Sequence, residues 1–523
     1  MRQSLRASAV VAACAILAAT VPGVARASEW LSGTNSAELA YHASNEDHLP
    51  TNDEYTSFVN RLNLGSKYKD LELNLRLDAG LFSPHPDSAA TASFDAADDA
   101  TFRNHVMLER ALASYTIGDF QLRAGDEYRQ LGRGILLSLR RIDEAGVDLA
   151  IRGGSATFTH GGVTATAFGG TTVSAPLDSA TQAFIEDPED RILGGLVAYQ
   201  HETVGTFTGM GEQIRVESPA LPIPGALHPT VTAFGASWEA PASDNVALYV
   251  EADSVQSSTL DDRGTGAFAS ATFYLGDYTV SAEGLFLEAT ALDASGNTAT
   301  PGKPFRYSLP PTLERFDQEV LEYDNVRGGR VRLEWISPDS GLVLYANEMV
   351  RLPNYGEPSA GRQFHQYAGF EYPYDDGASH INASVGYRYE SARANGAWDQ
   401  SLSMPHGEAD LLQSLGGKLA LHINGNLELR DSGAIDRVYQ RSNSVWGLDR
   451  HGWGGVALEV GYDDEKADLP SWYFAGHLTV DTGKLWSVRA VAGTERGGLK
   501  CVGGMCREFP AFAGARVELV TRF

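Results

Sequence analysis

Between residues 71 and 81 the chain alternates without a break. Leu71, Leu73, Leu75, Leu77, Ala79 and Leu81 fall on one face, and Glu72, Asn74, Arg76, Asp78 and Gly80 on the other. A period of two over this length is a β-strand, since successive side chains point to opposite faces of a sheet. About nine to eleven residues is also the length that crosses a bilayer as a tilted strand. The device recurs. Ala247, Tyr249, Glu251 and Asp253 alternate with Val246, Leu248, Val250 and Ala252, and Val331, Leu333 and Trp335 with Arg330, Arg332 and Glu334. Val488, Ala490 and Ala492 continue the pattern near the end of the chain.

The spaces between alternating runs are of two kinds. Short connections sit at Lys69-Asp70, Gly118-Asp119, Gly161-Gly162, Gly276-Asp277, Asp339–Gly341 and Thr482-Gly483. Long polar ones cover Ser83–Phe102, Ser174–Asp190, Glu217–Pro229, Thr290–Asp324 and Ala392–Met404. Turns at one end and loops at the other describe an antiparallel transmembrane barrel with its long loops outside the cell and both termini in the periplasm. Tyr68, Trp238, Tyr274, Tyr278, Trp335, Trp472, Tyr473 and Trp486 near strand ends suit interfacial girdles, although strands favour aromatics everywhere. The expected fold is therefore all-β, a closed barrel of about 22 strands with 18–24 possible, because single-chain bacterial barrels have even counts. The least certain stretch is His406–Asn443, where Gly416-Gly417 and Asn424-Gly425 compete as turns.

Residues 1–27 read as a cleaved leader, and 28–523 as the barrel. Arg2 and Arg6 precede an uncharged run from Ala7 to Val21, and Ala25-Arg26-Ala27 supplies a small-residue cleavage site. The run is shorter than the ~20 residues a helix needs to span a membrane. Barrel-like alternation starts near Ser36, which leaves no room for a plug domain. Losing Arg2, Arg6 and Arg26 takes the formal charge from −26 to −29, so nucleic acid is a poor partner. The expected surroundings are outer-membrane lipid and lipopolysaccharide. The last strand, Phe512–Phe523, alternates and ends on Phe, which looks like the signal read by the barrel-assembly machinery. A periplasmic or lipoprotein partner is left open.

Chemistry is sparse. The chain lacks a Gly-x-Ser-x-Gly elbow, a His-Glu-x-x-His pair and a phosphate loop, and His201, His406 and His422 read as isolated. Neither a catalytic residue nor a cofactor or metal is expected; the acidic clusters lack calcium-loop spacing. Cys501 and Cys506, separated by Val-Gly-Gly-Met, are the cysteines beyond the leader, and an oxidising compartment favours their disulfide on the extracellular side. The densest charge cluster lies between strands: Asp126, Glu127, Arg129, Arg133, Arg140, Arg141, Asp143, Glu144 and Asp148, interrupted by Gly132 and Gly134 and by the apolar run Ile135–Leu139. Charges cost up to ~2–4 kcal/mol each at a lipid-facing midplane. The segment therefore either turns into the lumen as a constriction or stands above the membrane as a solvated loop.

Gly125-Asp-Glu-Tyr, Gly132-Arg-Gly-Ile and Leu139-Arg-Arg-Ile-Asp-Glu-x-Gly-Val-Asp resemble the signature of a large family of bacterial outer-membrane barrels to which no activity is assigned. The tail from Arg496 to Phe512 is similar to the tail of the same proteins. The resemblance implies fold and location, not transport. The functions it leaves are a channel for small polar solutes or ions, a non-transporting barrel that serves as scaffold or docking partner, and a barrel enzyme.

Overall fold

In the computed structural model the first strand, Leu31–His42, pairs antiparallel with both the second, Tyr55–Tyr68, and the last, Phe512–Arg522. That double pairing closes the sheet. Around the circumference run 24 antiparallel strands, each paired with its sequence neighbour once three short inserted pieces and one separate hairpin are set aside. The residues described are 30–44, 53–83, 104–175, 189–217, 230–258, 263–290, 307–315, 325–394, 397–433, 435–466, 469–481, 483, 485–502, 505–509 and 511–523, with the backbone alone for 394 and 499–508. The leader and the greater part of the long polar connections, including Asp95, Asp98, Asp99, Glu186 and Asp187, fall outside them.

The count of 24 is close to the expected 22 and within the range of 18–24. One open choice is decided and one expected loop is corrected. Gly416 and Gly417 hold positive φ (78° and 58°) and make the turn, whereas Asn424 and Gly425 lie within the strand Leu419–Ser432. Ala392–Met404, expected as a loop, is mostly paired strand: Ser379–Ala394 runs two residues past its pairing with Gly361, and Ala397–Gly416 begins five residues before its pairing with Ser432. Strand that rises beyond an apolar belt has no reason to alternate in hydropathy.

Alternation sorts the two faces. Leu193, Val197, Phe234, Val250, Val331 and Leu458 point outward and are exposed. Their neighbours Glu212, Glu251, Asp253 and Arg388 point inward and are buried. An outer surface of aliphatic and aromatic side chains is unfavourable in water and favourable in hydrocarbon. Tyr68, Tyr274, Tyr278 and Trp486 add exposed aromatics at the short-turn end, and Trp472 at the other. The short turns share one end of the barrel with Leu31 and Arg522, and the longer connections share the opposite rim. Among the described residues the one helical element is a 3-10 turn, Asp143–Ala145.

The wall also carries a bulge. The pairing of Leu71–Ser83 with His105–Ile117 shifts between Arg76 and Leu77. The extra residue lets Glu109 and Arg110, adjacent in sequence, both be buried on the inner side.

Candidate functional site: the inward-folded segment and the wall that receives it

The chain leaves the wall after the strand Phe120–Glu127 and rejoins it at Val147–His160. In between, Arg129–Leu131 pairs with Leu137–Leu139 as a small hairpin separate from the barrel sheet. Leu131, Ile135, Leu136, Leu137 and Leu139 are at most 1% exposed. They pack on lumen-facing apolar side chains of the wall, among them Leu149, Ile151, Phe168, Ile192, Met210 and Ile214. Ile135 meets a second group that includes Tyr249, Phe268, Leu285 and Met349. Here the wall strands carry apolar residues on both faces, because the inner face is covered by protein instead of water. Burying a Leu or Ile side chain is worth about 1.5–3 kcal/mol, so this face provides the attraction that holds the segment inside.

Polar contacts fix its register. Arg133 donates its backbone N–H to Glu251 Oε2 (2.8 Å), and its guanidinium lies 4.3 Å from the centre of the Tyr249 ring. Tyr249 also donates its hydroxyl to Glu251. Gly134 has φ +87°, and a Cβ there would sit 2.6 Å from the Leu309 carbonyl oxygen. That approach allows Leu309 N–H to reach Gly134 O (2.8 Å) while Ser138 N–H reaches Tyr307 O (2.7 Å).

Tyr307 and Leu309 belong to a second inward segment, residues 307–315, from the connection between Tyr278–Glu288 and Val326–Ile336. It is anchored at both ends. Tyr307 donates its hydroxyl to Asp190 (2.5 Å). Burial raises Asp190 to about 6, against the opposing hydrogen bond from Tyr307. At the other end Glu314 accepts from His365 Nδ1 (2.6 Å) and Gln363 (3.1 Å), with Arg388 at 3.9 Å. Burial alone would raise Glu314; the His365 hydrogen bond and the Arg388 charge outweigh it and hold the carboxyl below its usual range. His365 Nε2 lies 2.8 Å from His406 Nε2. Glu314, His365 and His406 are therefore linked in one hydrogen-bonded chain.

The nine charged residues singled out in the sequence divide between wall and segment. Asp126 pairs with Arg152 (2.8 Å) and accepts from Ala111 N–H (2.8 Å). Glu127 pairs with Arg129 (2.7 Å). Asp148 is held by Arg76 (2.7 Å), Arg110 (3.1 Å) and the Tyr128 hydroxyl (2.8 Å). Arg141 pairs with Asp143 (2.6 Å) at the surface of the segment, and Glu144 is exposed beside it. Arg140 is partly buried, which lowers its pKa. Asp126 and Asp148 thus neutralise wall arginines and Glu127 the arginine that opens the hairpin, while Arg140, Arg141, Asp143 and Glu144 lie where the segment returns to the wall, Arg141 opposite Asp148 in register.

The histidines read as isolated include two that are not. His406 joins the Glu314–His365 chain, and His422 lies 2.8 Å from Asp410, whose other oxygen is 3.1 Å from His380. These pairs form across strands 12–51 residues apart in sequence, so no local motif could announce them. The Gly498–Val502 and Met505–Phe509 hairpin sets Cys501 opposite Cys506 in register; their side chains lie outside the described residues.

No family model matches the chain, and no curated protein does. Among solved structures it is similar to the siderophore receptor PirA from Pseudomonas aeruginosa, at 9% identity over 95% of this chain and 81% of that one, with a TM-score of 0.47. It is similar also to the translocation pore of the P pilus usher PapC, at 9% identity over 94% and 99% of the two chains and a TM-score of 0.42. OccAB3 from Acinetobacter baumannii matches at 10% identity over 77% and 99%, with a TM-score of 0.39. A receptor and a translocation pore appear side by side, so the likeness assigns no activity to this chain.

Proposed function

We propose that the protein is a channel of the Gram-negative outer membrane that passes small polar solutes or ions, narrowed by residues 128–146 and 307–315. The observation that supports this reading is the packing of Ile135–Leu139 on the inner wall, with the Arg133 guanidinium over the Tyr249 ring. Charge at a constriction governs which ions pass. On this reading the long-loop rim faces outward beside lipopolysaccharide and the short turns face the periplasm, the orientation usual for barrels with segregated loops. The Phe512–Phe523 strand is the proposed contact for the assembly machinery.

Planar bilayers test it. Purified protein should give discrete conductance steps. Replacing Arg133, Arg140 and Arg141 together with Gln should shift the reversal potential in a salt gradient toward cations. A barrel that conducts nothing under any condition would favour the docking-scaffold reading instead.

A further inference from the structure

A second cluster lies elsewhere on the lumen-facing wall, on strands near the end of the chain. Glu459, His477 and Glu495 stand on three neighbouring strands, Gly454–Asp463, Trp472–Asp481 and Trp486–Glu495. Each side chain offers one ligand atom: a carboxylate oxygen from each Glu and a ring nitrogen from His477 all lie within 4.8 Å of one another. Their outward-pointing neighbours are Leu458, Phe474 and Leu478, so the cluster faces the water side of the sheet.

We propose that Glu459, His477 and Glu495 form a binding site for a divalent transition-metal ion of borderline softness, such as Zn²⁺, Co²⁺ or Ni²⁺, open on its lumen side. Imidazole with two carboxylates is a donor set that suits such ions and suits the softer, thiolate-seeking ones poorly. The geometry fits. His477 Nε2 and Glu459 Oε2 are 3.0 Å apart. Two ligands each about 2.1 Å from a metal and about a right angle apart are separated by roughly that distance.

The outer contacts are those a metal site uses to aim its ligands. Asn443 donates to Glu459 Oε1 (3.0 Å), which leaves Oε2 turned toward His477. Arg516 donates to both oxygens of Glu495 (2.8 and 3.1 Å) and fixes that carboxylate in place. Charge is also balanced: two carboxylates and one guanidinium leave a net −1 for a dication to meet. His477 and Glu459 side chains are 29% and 27% exposed, so an ion can arrive from the lumen and retain water at its open positions. Ligands contributed by three separate strands explain why the sequence, searched for close spacings, suggested no metal.

Untagged protein in detergent, stripped with chelator and titrated with Co²⁺, tests the site by equilibrium dialysis and by the visible absorption of bound cobalt. Wild type should take up one Co²⁺ per chain. His477→Gln and Glu459→Gln should each weaken binding about 10–100-fold while retaining the heat-modifiable gel migration of a closed barrel. Asn443→Ala, which touches no metal, should weaken it less. Absence of stoichiometric Co²⁺ in wild type overturns the proposal. Uptake equal in wild type and in both ligand variants overturns it too, by placing the ion elsewhere, for instance on the acidic loops. Neither result bears on conductance.

Discussion

Gly134 is the residue on which the two inward segments depend most directly. Its φ of +87° is disfavoured for any residue with a side chain by roughly 1–2 kcal/mol, and a methyl group there would strike the Leu309 backbone. Gly134→Ala should loosen residues 307–315 without opening the barrel. The expected result is faster amide exchange over Ser138 and Leu309 and a larger single-channel conductance, with unchanged gel migration. Titration should act on the same contact from two directions. Asp190 is raised to about 6 from 3.8, so the docked state holds its proton more tightly, and that contribution declines as pH rises from about 4 to 6. Glu314 is lowered, so its contribution is present at higher pH and is lost on acidification through its docked pKa. Amide protection of 307–315, corrected for intrinsic exchange, should therefore peak at mildly acid pH. Asp190→Asn should abolish the decline on the neutral side, and a flat profile in wild type would show that neither group controls docking.

At the scale of elements, Glu314 is the anchor to remove. Truncating one partner of a buried ion pair leaves the other uncompensated, at a cost of about 3–5 kcal/mol. Glu314→Ala should free the segment and speed tryptic cleavage after Arg315 several-fold, with the wall intact. Much of this architecture was readable in advance, because strands pressed between lipid and lumen must alternate. The turns at Lys69-Asp70, Gly118-Asp119, Gly161-Gly162 and Gly276-Asp277 lie where alternation stops. The apolar run at Ile135–Leu139 marked a segment unlike the solvated loops. Residues 307–315 escaped notice, although Tyr307, Leu309 and Leu313 are spaced two and four apart in a Pro-rich stretch. Three apolar residues in a long connection are too weak a signal to separate from an ordinary loop. The Glu314–His365–His406 chain was invisible for a different reason: register decides which histidines meet, and register is a property of the closed sheet.

For the whole molecule, closure depends on one seam. Gly33 exchanges both backbone hydrogen bonds with Phe523 (2.8 and 3.0 Å), and a Cβ on Gly33 would lie 2.4 Å from the Phe523 ring. Gly33→Val must displace that ring, at the roughly 1–3 kcal/mol typical of overpacking. The fraction of heat-modifiable, folded barrel should fall, and less so for Gly33→Ala. The two apolar groups under the inward segments have a wider consequence. They line the inner face of ten of the 24 strands, from Val147 to Pro353, where protein covers the wall. Among the described residues of the remaining strands, Asn424, Asn426 and Arg489 are exposed and the Glu459–His477 pair partly so. Among the described residues, the protein that covers the inner wall lies to one side. For the channel proposed above, a solute in transit would slide along a single polar bank with a padded bulkhead at its back, and discrimination would come from one side of its surface at a time.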